Sequence, residues 1–124
     1  MQQQIELLSR RLKATGKFVE TRITPEELDR AIRERRAALR FHNGVMEACT
    51  ILWPTNEKNV FEVGTVWVGE ALNGKGLRKE VMADALALAP GDTTFFFLTP
   101  DAKIKESARQ LGLISGRESE EAGF

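Results

Sequence analysis

In the stretch VWVGEALNGKGLRKE, residues 66–80, a short apolar run meets a Gly74-Lys75-Gly76 turn and then a helical pattern. The first amides of a helix have no partner within it, and the helix dipole places positive potential behind them. Glycines in such a turn let an anion approach the main chain closely, so the chemistry on offer is the binding of a phosphate-bearing ligand. The stretch contains neither G-x-x-x-x-G-K-[ST] nor a full G-x-G-x-x-G, because Gly76 is followed by Leu77, Arg78 and Lys79. A glycine turn that merely joins a strand to a helix is the competing reading of so short a motif.

Other side chains suited to chemistry are few. Cys49 is the only cysteine and His42 the only histidine, which excludes an internal disulfide, a multi-cysteine metal site and a histidine cluster. No D-x-D-x-D-G loop occurs, so no metal is expected. His42 sits in FHNGV, where His-Asn-Gly between two apolar runs reads as a hairpin turn. An exposed loop histidine is therefore expected there, not the base of a nucleophile triad.

These groups must be positioned by a chain of 124 residues that is 42% apolar and 29% charged. That length suits one globular domain over residues 1–124, with an N-terminal helix at 1–16 and a short tail at 114–124. Eighteen basic residues balance eighteen acidic ones, so the net charge favours neither nucleic acid nor an anionic membrane as partner. No apolar run approaches the roughly 20 residues that cross a bilayer, and MQQQIELLSRRLK lacks the apolar stretch of a signal peptide. A cytoplasmic location is expected.

Ile5, Leu8 and Leu12 follow helical spacing, and Gly16 is placed to stop that helix. FVETRI, residues 18–23, alternates like a strand with one buried face. Thr24, Pro25 and Glu27 supply the cap, first residue and capping box of a second helix that runs on through Leu28, Ile32 and Leu39 or stops a little earlier. ALRFHNGVMEACTILWP reads as two strands around the His42-Asn43-Gly44 turn, ended by Pro54. VFEVGTVWVG, residues 60–69, is β-branched and aromatic enough for a central strand. After the glycine turn, Leu77, Val81, Ala85 and Leu88 form a helical stripe that Pro90-Gly91-Asp92 ends. TTFFFLT is a continuous apolar run, expected as a strand buried on both faces. Thr99-Pro100 opens a last helix, with Ile104, Ala108 and Leu111 inward and Gly112 as its stop. The strand, helix, strand unit over residues 60–99 is expected as a right-handed parallel crossover. The fold class is α/β or α+β, a mixed, mostly antiparallel central sheet flanked by helices.

From about residue 18 to residue 113 this order resembles the GNAT N-acetyltransferase family, which takes an acetyl group from acetyl-CoA. ALRFHNGVMEACTILWP is similar to the family's second and third strands with their Asn-Gly hairpin. EVGTVWVGEALNGKGLRKEVM is similar to its fourth strand, pyrophosphate loop and following helix, and FFFLTPDAKIKESARQLGL to its fifth strand and next helix. The family loop runs Arg or Gln, two residues, Gly, one residue, then Gly or Ala. Here it is Asn73, Gly74, Lys75, Gly76, Leu77 and Arg78. Gly76 matches, whereas Asn73 replaces the long polar side chain and Arg78 the small closing residue. Backbone amides do not depend on those side chains, so the resemblance still implies a pyrophosphate held there, with Arg78 adding bulk and positive charge. It also implies that the fourth and fifth strands splay and that the pantetheine arm bonds to the open edge at Val66, Trp67 and Val68. An amide on that edge would face the acetyl carbonyl as oxyanion charge develops. Each of these three residues also reads as ordinary core strand.

The resemblance further assigns Glu62, at a position often acidic in the family, the role of base toward the attacking ammonium, directly or through water. A solvated or ion-paired strand glutamate is the competing reading. The family's usual acid is a tyrosine four residues before the last helix's final glycine. That position is Ala108, and the chain contains no tyrosine. A general acid is worth about 10²–10⁴ in rate, but a thiolate whose thiol pKa is near ~8.5 can leave without full protonation. Ser107 and Cys49 are conceivable substitutes that read as a helix-surface residue and a buried strand residue. Arg30, Arg33, Arg35, Arg36 and Arg40 make the second helix basic, suited to an acidic partner or the CoA 3′-phosphate, but with Asp29 and Glu34 interleaved they read first as a solvated helix face. Trp53 and Trp67 read as packing. The acidic tail ISGRESEEAGF is short where the family continues into two more strands that help form the acceptor site, so either that part is missing or another subunit, as in a homodimer, completes it. The expected activity is acetyl transfer from acetyl-CoA to a primary amine of an unidentified acceptor, small molecule or protein. A catalytically silent GNAT fold acting as a binding or regulatory module is the alternative.

Overall fold

The computed structural model describes residues 1–99, 101–112 and 114–115. Helix α1 (Gln2–Thr15) buries Ile5, Leu8, Ser9 and Leu12 on one face. It stops at Gly16, whose φ of 68° is left-handed and free of strain only without a Cβ. Residues 18–23 are not the expected strand: Glu20–Arg22 form a 3₁₀ turn. Six alternating residues cannot by themselves supply a pairing partner, and here the segment docks by single side chains. Ile23 is buried, its carbonyl accepting from Ser9 Oγ at 2.6 Å, while Val19 stays exposed.

Helix α2 (Pro25–Arg33) has the expected cap, the Thr24 hydroxyl accepting from the Glu27 amide at 3.2 Å, but the Glu27 carboxylate accepts from Arg30 at 3.0 Å and does not close the capping box. It ends well before Leu39. The Arg36 amide donates to the Ala31 carbonyl and the Arg35 amide to Ile32, with Arg35 at φ 58°. This is a Schellman stop with arginine where glycine is usual, so no glycine marked it in the sequence.

Strands β1 (Ala37–His42) and β2 (Val45–Pro54) form a hairpin. Its turn residues Asn43 and Gly44 both have positive φ, 51° and 78°, matching the right-handed strand twist. Next come β3 (Val60–Val68), α3 (Leu77–Leu88), β4 (Thr94–Phe97), α4 (Ala102–Gln110) and β5 (Ile114–Ser115). The sheet order is β1-β2-β3-β4-β5. The first two pairings are antiparallel, while β3–β4 and β4–β5 are parallel.

Two apolar clusters sandwich the sheet. Ile5, Leu8 and Leu12 of α1 with Leu28 and Ala31 of α2 cover Met46, Cys49, Ile51 and Trp53. On the other face Val81, Met82 and Ala85 of α3 and Ala108 of α4 cover Leu52, Val63, Val66 and Phe97. The first cluster contains no β4 residue. For that reason β4 is not buried on both faces: Phe97 is buried, but Phe95 and Phe96 are only half-buried and Leu98 is exposed.

Helix α4 starts later than expected. Its cap is Asp101, whose Oδ1 accepts from the Lys103 and Ile104 amides at 2.8 and 3.4 Å; Pro100 lies outside the described residues. The expected tail at 114–124 opens with a strand, since Ile114 and Ser115 pair with Phe96 and Phe97; residues 116–124 lie outside the described residues.

Candidate functional site

The β3–β4 ladder joins only Val60, Phe61 and Glu62 to Thr94, Phe95 and Phe96. Beyond Glu62 the strands part, and among the described residues β4 offers no ladder partner to residues 63–68. The gap opens into a cleft of about 610 Å³. One wall is the outer edge of β3 from Glu62 to Val68, and the opposite wall holds Leu98, Thr99, Asp101 and Ile104. The segment after α1 closes one side with Lys17, Phe18, Val19 and Arg22, and Arg78 enters from the first turn of α3.

A bulge in β3 explains why the strands separate. Cys49 pairs with Trp67 and Ile51 with Gly64, so Thr65 and Val66 together face Thr50. An extra residue of this kind bends its strand and raises the local twist. Thr65 takes φ 48°, a strained value for a β-branched residue. It is held by two contacts: Trp53 Nε1 donates to Thr65 Oγ1 at 3.1 Å, and Cys49 Sγ donates to the Thr65 carbonyl at 3.4 Å. Gly64 makes room for the tryptophan, since a Cβ there would lie 2.9 Å from Trp53 Cδ1. Burial pushes the Cys49 thiol up to about 12, so this cysteine packs and neither attacks nor donates protons at neutral pH.

After β3, a 3₁₀ turn at Glu70–Leu72 leads to Gly74 and Gly76, both left-handed at φ 78° and 72°. Gly76 is the N-cap of α3 and no side chain caps the helix, which leaves the amides of its first turn directed outward. The turn is tied down from behind by Glu47. The Glu47 carbonyl accepts from the Gly69 amide at 2.7 Å, and its Oε2 accepts from the Ala71 amide at 3.2 Å. Arg11 of α1 grips both carboxylate oxygens at 2.8 and 2.9 Å and lies 4.8 Å from the Trp67 ring centre. A Cβ on Gly69 would run into that carboxylate. The Arg11 hydrogen bonds hold the Glu47 carboxyl below the ordinary carboxylate range against the opposing effect of burial, and they raise the Arg11 pKa in turn. Glu47 falls where the β1–β2 register skips, which allows both Met46 and Glu47 to face α1.

Of the residues singled out in the sequence, Glu62, Val66, Trp67, Val68 and Arg78 line the cleft. Asn73, Gly74, Lys75 and Gly76 are exposed in the adjoining turn, and Leu77 is half-buried at the helix start. Glu62 stands at the vertex where the strands part and is ion-paired: Arg22 donates to its two oxygens at 3.1 and 3.0 Å while lying 5.0 Å from the Trp53 ring centre. Ala108 is fully buried in the second cluster, away from the cleft lining. The solvated arginine face is corrected at two positions. Arg36 is buried, donating to the Leu52 carbonyl at 2.7 Å, and Arg40 on β1 binds Asp84 of α3 at 2.7 Å. Sequence reasoning missed Lys17, Phe18, Arg22, Thr65 and Asp101 as cleft residues, and Arg11 and Glu47 behind the turn. Gly64 inside a strand was the available signal for the bulge.

A splayed, bulged strand followed by a glycine turn and crossover helix builds an α+β domain, and its fold is that of the GNAT-type proteins. It superposes on N-acetylglutamate synthase from Neisseria gonorrhoeae, solved with coenzyme A and N-acetyl-glutamate, with a TM-score of 0.62 and 19% identity over 85% of this chain. The matched part is 24% of the length of that synthase. Glucosamine-6-phosphate N-acetyltransferase from Arabidopsis thaliana aligns at 19% identity and a TM-score of 0.47, over 88% of this chain and 80% of that one. No protein-family model and no curated protein matches the sequence. Among the described residues no helix is long and apolar enough to cross a membrane, and no group of three His, Cys, Asp or Glu side chains is placed to hold a metal ion.

Proposed function

We propose that this chain binds acetyl-CoA and transfers its acetyl group to a primary amine. The observation that carries this reading is the unpaired outer edge of β3 running toward the uncapped amides of α3. The amides entering α3 around Gly74, Lys75, Gly76, Leu77 and Arg78, next to Asn73, would take the pyrophosphate, with the Arg78 guanidinium adding charge from the cleft wall. Val66, Trp67 and Val68 would receive the pantetheine arm as an added strand. The lone buried Cys49 accords with a cytoplasmic setting.

In the transfer, Glu62 takes one proton from the acceptor ammonium. The freed amine nitrogen then forms a bond to the thioester carbonyl carbon, and the C–S bond breaks with its electron pair leaving on sulfur. The second ammonium-derived proton goes to the thiolate or to solvent, so the products are the amide, CoA thiol and one proton. Ala108 supplies no acid, which leaves departure to rest on the low basicity of the thiolate. The bidentate hold of Arg22 on Glu62 favours a second reading, a silent fold that binds CoA without transfer.

Calorimetry with CoA and acetyl-CoA tests the shared part: binding is expected, and none at millimolar ligand rejects both readings. CoA release over a panel of amines, polyamines and peptides then separates them. Glu62→Gln should lower that release by about 10²–10⁴, the usual worth of a general base, with CoA affinity unchanged.

A further inference from the structure

Arg22 and Glu62 form a charged pair at the vertex of the cleft, and their arrangement is peculiar for a base that acts alone. A guanidinium occupying both carboxylate oxygens obstructs proton transfer to either. Nor is the pair an obvious source of stability: Glu62's side chain is only 14% exposed and Arg22's 35%, and the desolvation of a partly buried pair offsets much of its attraction. Yet it is held firmly in place. Trp53 backs the Arg22 guanidinium, and Trp53 is itself fixed by its bond to Thr65 on the bulge.

A neutral pair with separated charges, facing a cleft, complements a ligand with the same charges in reverse order. We propose that Arg22 and Glu62 are the acceptor subsite, and that the acceptor is an α-amino acid, an amine with a carboxylate on the adjacent carbon. Its carboxylate takes the guanidinium fork and its ammonium takes Glu62, so each charge acquires an opposite neighbour. The exchange loosens Arg22's grip on Glu62 and sets the carboxylate beside the proton it must remove. A plain amine offers Arg22 nothing and leaves the base chelated. The proton transfer rests on the acetyl-transfer reading; the binding of the amino acid does not.

Ligand-detected NMR on the full chain, with and without CoA, tests this using the common L-amino acids, their carboxamides and the matching decarboxylated amines. At least one amino acid should bind in the millimolar range or tighter, and its amide and amine about tenfold more weakly or worse, because they lack the carboxylate that takes the guanidinium fork and leaves Glu62 free for the ammonium. Arg22→Gln should abolish that preference and Arg22→Lys should restore part of it, a pattern that a merely structural arginine would not give. Glu62→Gln provides a second variant, expected to weaken the amino acid while sparing a carboxylate that lacks the amine. Amino-acid binding without CoA binding would uphold the subsite and reject the transfer. Equal use of amines with and without the carboxylate would overturn the subsite and leave the transfer standing, and no amino-acid binding in either state would also overturn it.

Discussion

Glu47 is 5% exposed and accepts from Arg11 twice and from the Ala71 amide once. Glu47→Ala leaves a guanidinium and an amide without their partner. Removing one member of a buried pair costs about 3–5 kcal/mol. The Arg11 side chain is 30% exposed, so water can recover part of that loss, and about 2–3 kcal/mol is the expected destabilisation. For a chain of this size that is a fall in Tm of roughly 10 °C. Glu47→Gln keeps the shape, loses the charge, and should cost about 1–2 kcal/mol. The pH dependence has a definite sign. The folded-state carboxyl lies below its unfolded value, so the stabilisation is complete above the unfolded pKa of about 4.3 and disappears as pH falls through the folded one. The gap between wild type and Glu47→Gln should therefore be full at pH 7 and shrink below about pH 4. Thermal melts of both proteins across that range, with Arg11→Ala and the double variant to close the cycle, measure it. A Glu47→Gln protein that melts with the wild type at pH 7 would refute the argument.

The remaining predictions concern the turn, the thiol and the bulge. Gly76→Ala meets open space but keeps φ 72°, so it should lose about 1 kcal/mol of stability and, by placing a methyl where the anion approaches, about tenfold in CoA affinity. Gly16→Ala, equally open at φ 68°, should show the same stability loss in melts with CoA affinity unchanged. With its pKa raised to about 12, Cys49 should resist a disulfide reagent at pH 8 and react as one thiol per chain once denatured. Deleting Thr65 should bring Val66 opposite Thr50 and make the β2–β3 ladder continuous. If the bulge opens the gap, the deletant should fold, protect its β3 amides in hydrogen exchange, and lose CoA binding.

What the sequence made legible is what local rules control. Thr24 caps α2, Asn43 and Gly44 turn the hairpin, and Gly76 starts α3, because each depends on a residue and its immediate neighbours. Residues 18–23 and the end of α2 misled for the complementary reason. Ile23 and Arg22 are placed by Ser9 and Glu62, far away in the chain, and Arg35 adopts a conformation its type does not advertise. The site divides in the same way. Its main-chain half follows from a glycine turn after a strand. Its side-chain half, Arg22 on Glu62 and Arg11 on Glu47, joins positions 40 and 36 residues apart, and pairing at that distance leaves no periodic trace.

That division also bears on the departures at Asn73 and Arg78. A pyrophosphate site built from amides depends on φ at Gly74 and Gly76 and on the attitude of the turn. The turn's attitude is set by Glu47, from beneath and on another strand. In the proposed reading, side chains at 73 and 78 can therefore change while the anion site persists. Proton transfer has no such tolerance, since it needs a particular group at a particular place. Ala108 is sealed in the core, and among the described residues the cleft is lined by the carboxylates Glu62 and Asp101, of which Glu62 stands at the vertex of the splay. In the proposed reading, whether the domain transfers an acetyl group or only binds CoA thus turns on what draws Arg22 away from Glu62, and a ligand carrying its own carboxylate is the simplest agent that could.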